Sequence, residues 1–147
     1  MTFLAATGLL NFLGNAFLGT LVLLKSPRSL LNRRFFYNSA SIALYSAGYF
    51  FWQMSETPES ALVWFRVLFT GIVLINITFL FYSFALVDGD NRRKKECLIH
   101  CVIGALFIAL NFASLFYDRL EPRFGLGFWP VPRPLFLRKE RHLPVLV

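Results

Sequence analysis

Four long apolar runs, at residues 2–24, 35–54, 61–87 and 97–117, constrain this chain more than any other feature. Each matches or exceeds the ~20 residues that an α-helix, rising ~1.5 Å per residue, needs to cross the ~30 Å hydrocarbon core of a bilayer. The polar residues inside them are isolated Asn, Ser and Thr. The runs are therefore apolar nearly all round and lack the two-faced period of a soluble helix. The chain is 56% hydrophobic with 18 Phe, and its mean hydropathy is +0.57. A soluble domain of this length would be less apolar. The expectation is an all-α membrane protein of four transmembrane helices with an irregular C-terminal tail: a helical region at 1–117 and a tail at 118–147.

The net charge is +7, but its distribution argues against nucleic acid as a partner. Lys25, Arg28, Arg33 and Arg34 lie between the first and second runs, and Arg92, Arg93, Lys94 and Lys95 between the third and fourth. The intervening segment 55–60 has no Lys or Arg and carries Glu56 and Glu59. This alternation follows the positive-inside rule and sets the N-terminus outside, with the basic loops in the cytoplasm. A nucleic-acid binder would gather its charge on a soluble face. Residues 1–24 lack the basic start and the small-residue cleavage site of a signal peptide, so they read as a span.

Local signals refine the picture. Ser26-Pro27 breaks the chain after the first helix. On the second, Ser39, Ala43 and Ala47 recur every four residues and make a small-residue face on which a neighbour can pack closely. Tyr49-Phe50-Phe51-Trp52 suits the outer interface. Thr57 caps the third helix, Pro58 takes its first position, and Glu59 complements its positive dipole end. The third run has 27 residues, enough to tilt or to emerge from the hydrocarbon before Asp88-Gly89-Asp90.

The tail is different. Residues 124–136 are aromatic but interrupted by Gly125, Gly127, Pro130, Pro132 and Pro134, which is too broken for a span and reads as an interfacial or re-entrant segment. Residues 137–147 show no period and read as disordered and dispensable. Arg119, Arg123, Arg133, Arg138, Lys139 and Arg141 place six positive charges on what the short loops make the outer side.

The polar residues within the runs have two readings each. Arg66, near the outer end of the third helix, either snorkels to headgroups or grips an anionic group. Asn11 and Asn15 on the first helix, Asn76 and Thr78 on the third, and Asn111 on the fourth are candidate interhelical contacts, with a polar ligand cavity as the other reading. Cys97, His100 and Cys101 share one helical face and could ligate a metal, but three ligands on one helix do not close a site. Two buried thiols behaving as small apolar residues are the simpler account, and a disulfide at this spacing would be strained. No nucleotide loop, intramembrane carboxylate pair or activated nucleophile is present in the sequence, so neither catalysis nor a cofactor is expected.

The chain resembles the N-terminal seven-transmembrane sensor region of bacterial and archaeal histidine kinases and diguanylate cyclases. Four stretches carry the likeness. They are Lys25-Ser26-Pro27-Arg28-Ser29 with Asn32 and Phe35, Ala43-Leu44-Tyr45-Ser46-Ala47-Gly48-Tyr49-Phe50-Phe51, Glu59-Ser60-Ala61-Leu62-Val63-Trp64-Phe65-Arg66, and Gly127-Phe128-Trp129-Pro130-Val131-Pro132 followed by Pro134-Leu135-Phe136. They span residues 9–136 in the expected order, and Trp64-x-Arg66 is their most specific part. The resemblance implies three further helices and a cytoplasmic output domain after the Pro-Leu-Phe element. This sequence ends eleven residues beyond it, so a truncated or frameshifted reading frame is expected, with the break near Arg138-Lys139-Glu140-Arg141-His142.

The reading is thus a membrane sensory input module without its output domain, its signal unnamed. Its partners would be the lipid bilayer and a membrane protein or second copy bound through the helices. The alternatives are a small multi-pass transporter or channel subunit, which would call for charged or broken helices at the midplane, and a gene fragment with no function of its own.

Overall fold

A computed structural model describes residues 3–87, 94–113, 117–122 and 128–132. It contains helices α1 (Phe3–Lys25), α2 (Leu30–Gln53), α3 (Pro58–Val87) and α4 (Lys94–Phe112), followed by strands β1 (Tyr117–Pro122) and β2 (Phe128–Pro132). The helices α1, α3 and α4 are long and apolar enough to cross a membrane, and only 11% of the most apolar stretch of each is buried within the protein. Large apolar side chains such as Leu10, Phe17, Ile72, Phe79, Val102 and Leu106 face outward. That inverts the soluble pattern and suits hydrocarbon as the solvent.

The second helix departs from expectation at its start. It begins at Leu30, five residues before the apolar run. Ser29 caps it, its hydroxyl accepting from the Asn32 amide at 3.4 Å, and the cap admits a polar first turn that an apolar-run criterion passes over. Arg33 and Arg34 therefore lie on a helix rather than in a loop. The Asn32 side chain donates back to the Val22 carbonyl at 2.9 Å and to Ser26 at 3.4 Å, fastening the start of α2 to the end of α1. With its Ser, Asn and Arg content, α2 is the one helix of the four that length and composition alone do not mark as a span.

The predicted start of α3 is observed. Pro58 opens the helix, and the Thr57 hydroxyl accepts from the Ser60 amide at 3.2 Å. At 30 residues it is ~45 Å long, more than the hydrocarbon core requires. The end of α3 expected at Asp88-Gly89-Asp90, the charges of Arg92 and Arg93, and everything said of 133–147 lie outside the described residues.

The helices pack in chain order, α2 against both α1 and α3, and α4 against α3. The buried side of α2 is wider than the small-residue face expected of it. Ser39 and Ala43 are buried, as are Ser41, Ser46, Gly48 and Trp52, because the helix has a neighbour on each flank. Two glycines set the α2–α3 distance reciprocally. A Cβ at Gly48 would lie 2.6 Å from the Leu68 nitrogen, and one at Gly71 would lie 2.7 Å from the Tyr45 backbone. Such proximity lets the backbones meet without intervening side chains.

The fourth helix ends at Phe112, and the tail is not wholly irregular. Tyr117, which the apolar pattern assigned to the fourth run, opens an antiparallel hairpin that pairs Arg119 with Val131, Leu120 with Pro130 and Glu121 with Trp129. The register is irregular between Tyr117 and Arg119. In a regular strand Tyr117 and Leu120, three apart, would face opposite ways. The extra residue of a bulge brings both to the buried side, and it also erases the alternation by which a strand is recognised in sequence.

Replacing Gly48 or Gly71 by Ala should lower stability by about 1–3 kcal/mol, since the obstructing atoms are backbone. Gly14, where an added Cβ meets nothing within 4 Å, should tolerate Ala without loss. Unfolding of the detergent-solubilised protein measures all three.

Candidate functional site

The hairpin lies at the same end of the bundle as the 54–57 turn, and there α2, α3 and α4 converge beneath it. Trp52, in the last turn of α2, is 8% exposed and clusters with Ala61, Leu68 and Leu120. Its ring meets Phe65 at 5.6 Å and Trp129 at 5.7 Å, both edge to face, the geometry aromatic quadrupoles favour. The Trp52 indole N–H donates to the Phe128 carbonyl at 2.9 Å. One side chain of α2 thereby holds β2 through both its apolar face and its polar edge.

A polar node holds β1. Asn111, near the end of α4, is fully buried. Its amide donates to the Arg66 carbonyl of α3 at 3.1 Å, with the Thr70 hydroxyl at 3.5 Å, and its side-chain oxygen accepts from the Tyr117 hydroxyl. Tyr117 packs edge to face on Phe65 at 4.9 Å. Burial pushes the Tyr117 hydroxyl up to about 12, against the opposing pull of the Arg66 guanidinium, which also hydrogen-bonds it. Arg66 is half buried here. The side chain lies beside Tyr117 of β1. Losing Asn111 would cut the link from β1 to α4 and take from the Tyr117 hydroxyl its acceptor, while the Arg66 carbonyl would keep the Thr70 hydroxyl at 2.9 Å.

The other sequence candidates are dispersed. The Asn11 amide donates to the Ser46 hydroxyl at 2.9 Å and joins α1 to α2. Asn15 turns back onto the Asn11 carbonyl and side-chain oxygen, both at 2.9 Å. Asn76 is exposed and bonds the Ile72 carbonyl of its own helix at 2.9 Å, so it links no helices. Thr78 does link them, reaching Asn38 and Ser41 of α2 at 3.3 Å. Among the five named candidates, Asn11 and Asn15 bond each other within α1, and Arg66 and Asn111 are the pair brought together from different helices. Cys97 and Cys101 form no disulfide and are half buried rather than buried, and the exposed His100 ring bonds the Glu96 carbonyl at 2.8 Å. Among the described residues no group of three or more His, Cys, Asp or Glu is placed to hold a metal ion.

Sequence reasoning missed Tyr117 and the double role of Trp52. The one available signal was an Asn at the very end of an apolar helix, six residues before a Tyr, where a buried amide needs a partner from whatever follows.

Compared with known proteins, residues 8–134 match the family described as the N-terminal 7TM region of histidine kinase. No curated protein and no solved structure matches the chain.

The raised Tyr117 value fixes a sign. The folded state holds this proton more tightly than the unfolded chain, whose ordinary value is 10.0. The associated stability is complete below pH ~10 and declines as pH climbs towards ~12. Limited proteolysis of the hairpin should show protection falling across that window. Tyr117→Phe should flatten the alkaline fall and cost about 1–3 kcal/mol at neutral pH, because Asn111 loses a donor.

Proposed function

The chain belongs to the family of N-terminal 7TM regions of histidine kinase, and from that membership we propose that it senses through the hairpin. It is a membrane-embedded, sensor-like region, and the matched region is not a catalytic domain. In our reading a stimulus at the hairpin end shifts β1 and β2, and the shift reaches the opposite end as a change in helix packing. The observation that carries this is the Asn111 node. Through Asn111, Arg66 and Tyr117 the hairpin is bonded to α4 and α3, while Trp52 bonds it to α2. A displacement of the hairpin therefore loads three helices together, and rigid packed helices carry it onward.

For orientation we take the N-terminus and the hairpin as extracytoplasmic and α2 as a span. Lys25, Arg28, Arg33, Arg34 and Lys95 gather at the other end of the bundle, against Glu56 and Glu59 at the hairpin end. Lipid covers the outward apolar faces of α1 and α4. Reporter fusions test this orientation: cytoplasmic-type activity after Thr57, or extracytoplasmic activity after Arg93, would overturn it.

Coupling is tested by spin labels at residues 28 and 95, both at the basic end. Asn111→Ala, which releases β1, should broaden or shift the distance between them in lipid. Asn76→Ala, which removes a bond internal to α3, should leave it unchanged. An identical distance in wild type and Asn111→Ala would reject coupling through the node.

A further inference from the structure

A second feature lies at the basic end, remote from the hairpin. Between α2 and α3 runs an open groove of about 400 Å³. Arg34, Tyr37 and Phe81 form its mouth, and Ala40, Leu44 and Leu74 line its length. From Arg34 to Leu44 the helix rises ~15 Å, half of the ~30 Å hydrocarbon core. The groove thus runs the depth of one leaflet, with its single cationic side chain at the end where headgroups lie.

The chemistry of the walls is divided the same way. The two hydroxyls below the mouth are already engaged: Ser41 donates to the Tyr37 carbonyl at 2.9 Å and Thr78 to the Leu74 carbonyl at 2.8 Å. Below the mouth the surface is consequently almost wholly carbon. At the mouth the Arg34 guanidinium lies 4.9 Å from the centre of the Phe81 ring, and a planar guanidinium fork matches the geometry of a phosphate. Lys25, Arg28 and Arg33 add positive charge at this end. Tyr37 and Leu44 are 46% and 36% exposed, so the groove opens outward to lipid.

From this juxtaposition we infer that the groove is a binding site for an anionic glycerophospholipid of the leaflet at the basic end, its phosphate held by Arg34 and one acyl chain lying between α2 and α3. Basic pockets between spanning helices have the right character for such headgroups, and a guanidinium can meet a phosphate with two parallel bonds.

Native mass spectrometry of the full chain, released from detergent with added dioleoylphosphatidylglycerol or dioleoylphosphatidylcholine, tests the assignment. The wild type should retain one phosphatidylglycerol in preference to phosphatidylcholine, and excess glycerol 3-phosphate should not displace it. Arg34→Gln should weaken retention about tenfold, as for the loss of one charge-assisted bond. Arg33→Gln, which removes the same charge from an exposed neighbour, should leave it intact. Ala40→Phe keeps every charge but fills the groove and should also expel the lipid, so the wild-type competition and this variant decide the matter if Arg34→Gln fails to fold. Equal losses in the two arginine variants would mean diffuse attraction and overturn the site. Absence of headgroup preference, displacement by glycerol 3-phosphate, retention unaffected by Ala40→Phe, or a dimer occupying the groove would each overturn it as well.

Discussion

The polarity of α2 is the constraint from which the rest of the bundle follows. A helix bearing Arg33, Arg34, Asn38, Ser39, Ser41 and Ser46 cannot face hydrocarbon on every side without leaving hydroxyls and amides unsolvated. It lies between α1 and α3, and both flanks are used. Asn11 meets Ser46 on one side, and Thr78 meets Asn38 and Ser41 on the other. Interhelical bonds of this kind contribute only about 0.6 kcal/mol each on average. Close packing supplies more of the cohesion, and Gly48 and Gly71 make it attainable by letting two backbones nearly touch. The neighbours can then be apolar outward because α2 has taken the interior.

At the hairpin end the problem reverses. There the helices terminate, their last carbonyls lack partners within the helix, and a small sheet has two open edges. Side chains near the helix ends anchor the hairpin. The Phe128 carbonyl receives the Trp52 indole, the Tyr117 phenol reaches Asn111, and the Asn111 amide returns to the Arg66 carbonyl. Pro130 and Pro132 remove two amide donors from β2, which blunts an edge that could otherwise recruit another strand. A short ribbon that would be marginal alone becomes a lid because aromatic rings and one buried amide anchor it from below.

Sequence made some of this legible and concealed the rest for identifiable reasons. Three spans are plain because hydrophobic length is a direct measure of bilayer thickness. The Thr57–Pro58 start of α3 is plain because capping chemistry is local. The family likeness followed from Trp64-x-Arg66 and the loop around Asn32, and the clasp from Asn32 to Val22 gives that loop a structural reason. The early start of α2 was hidden because Ser29 acts through a cap, not through hydropathy. The hairpin was hidden because a bulge at its first residues breaks the two-residue period and prolines imitate a loop. Of the candidate polar residues, Arg66 and Asn111 belong to one node, yet 45 positions separate them. No local pattern pairs residues so far apart; only the antiparallel return of α4 along α3 does.

The chain-order packing of the helices has a consequence for biogenesis. Each helix after the first leaves the ribosome with one packing neighbour already made, so assembly can follow synthesis without rearrangement. Like α3, α2 has partners on both sides, and it is the less apolar of the two. At ~5–20 residues per second of synthesis, a few seconds separate the completion of α2 from that of α3. During that interval Asn11 already answers Ser46, while Asn38 and Ser41 await Thr78. Until α3 is made, this least apolar helix has α1 alone to pack against. The clasp of Asn32 on Val22 lies wholly within residues already synthesised and ties the start of α2 to the end of α1.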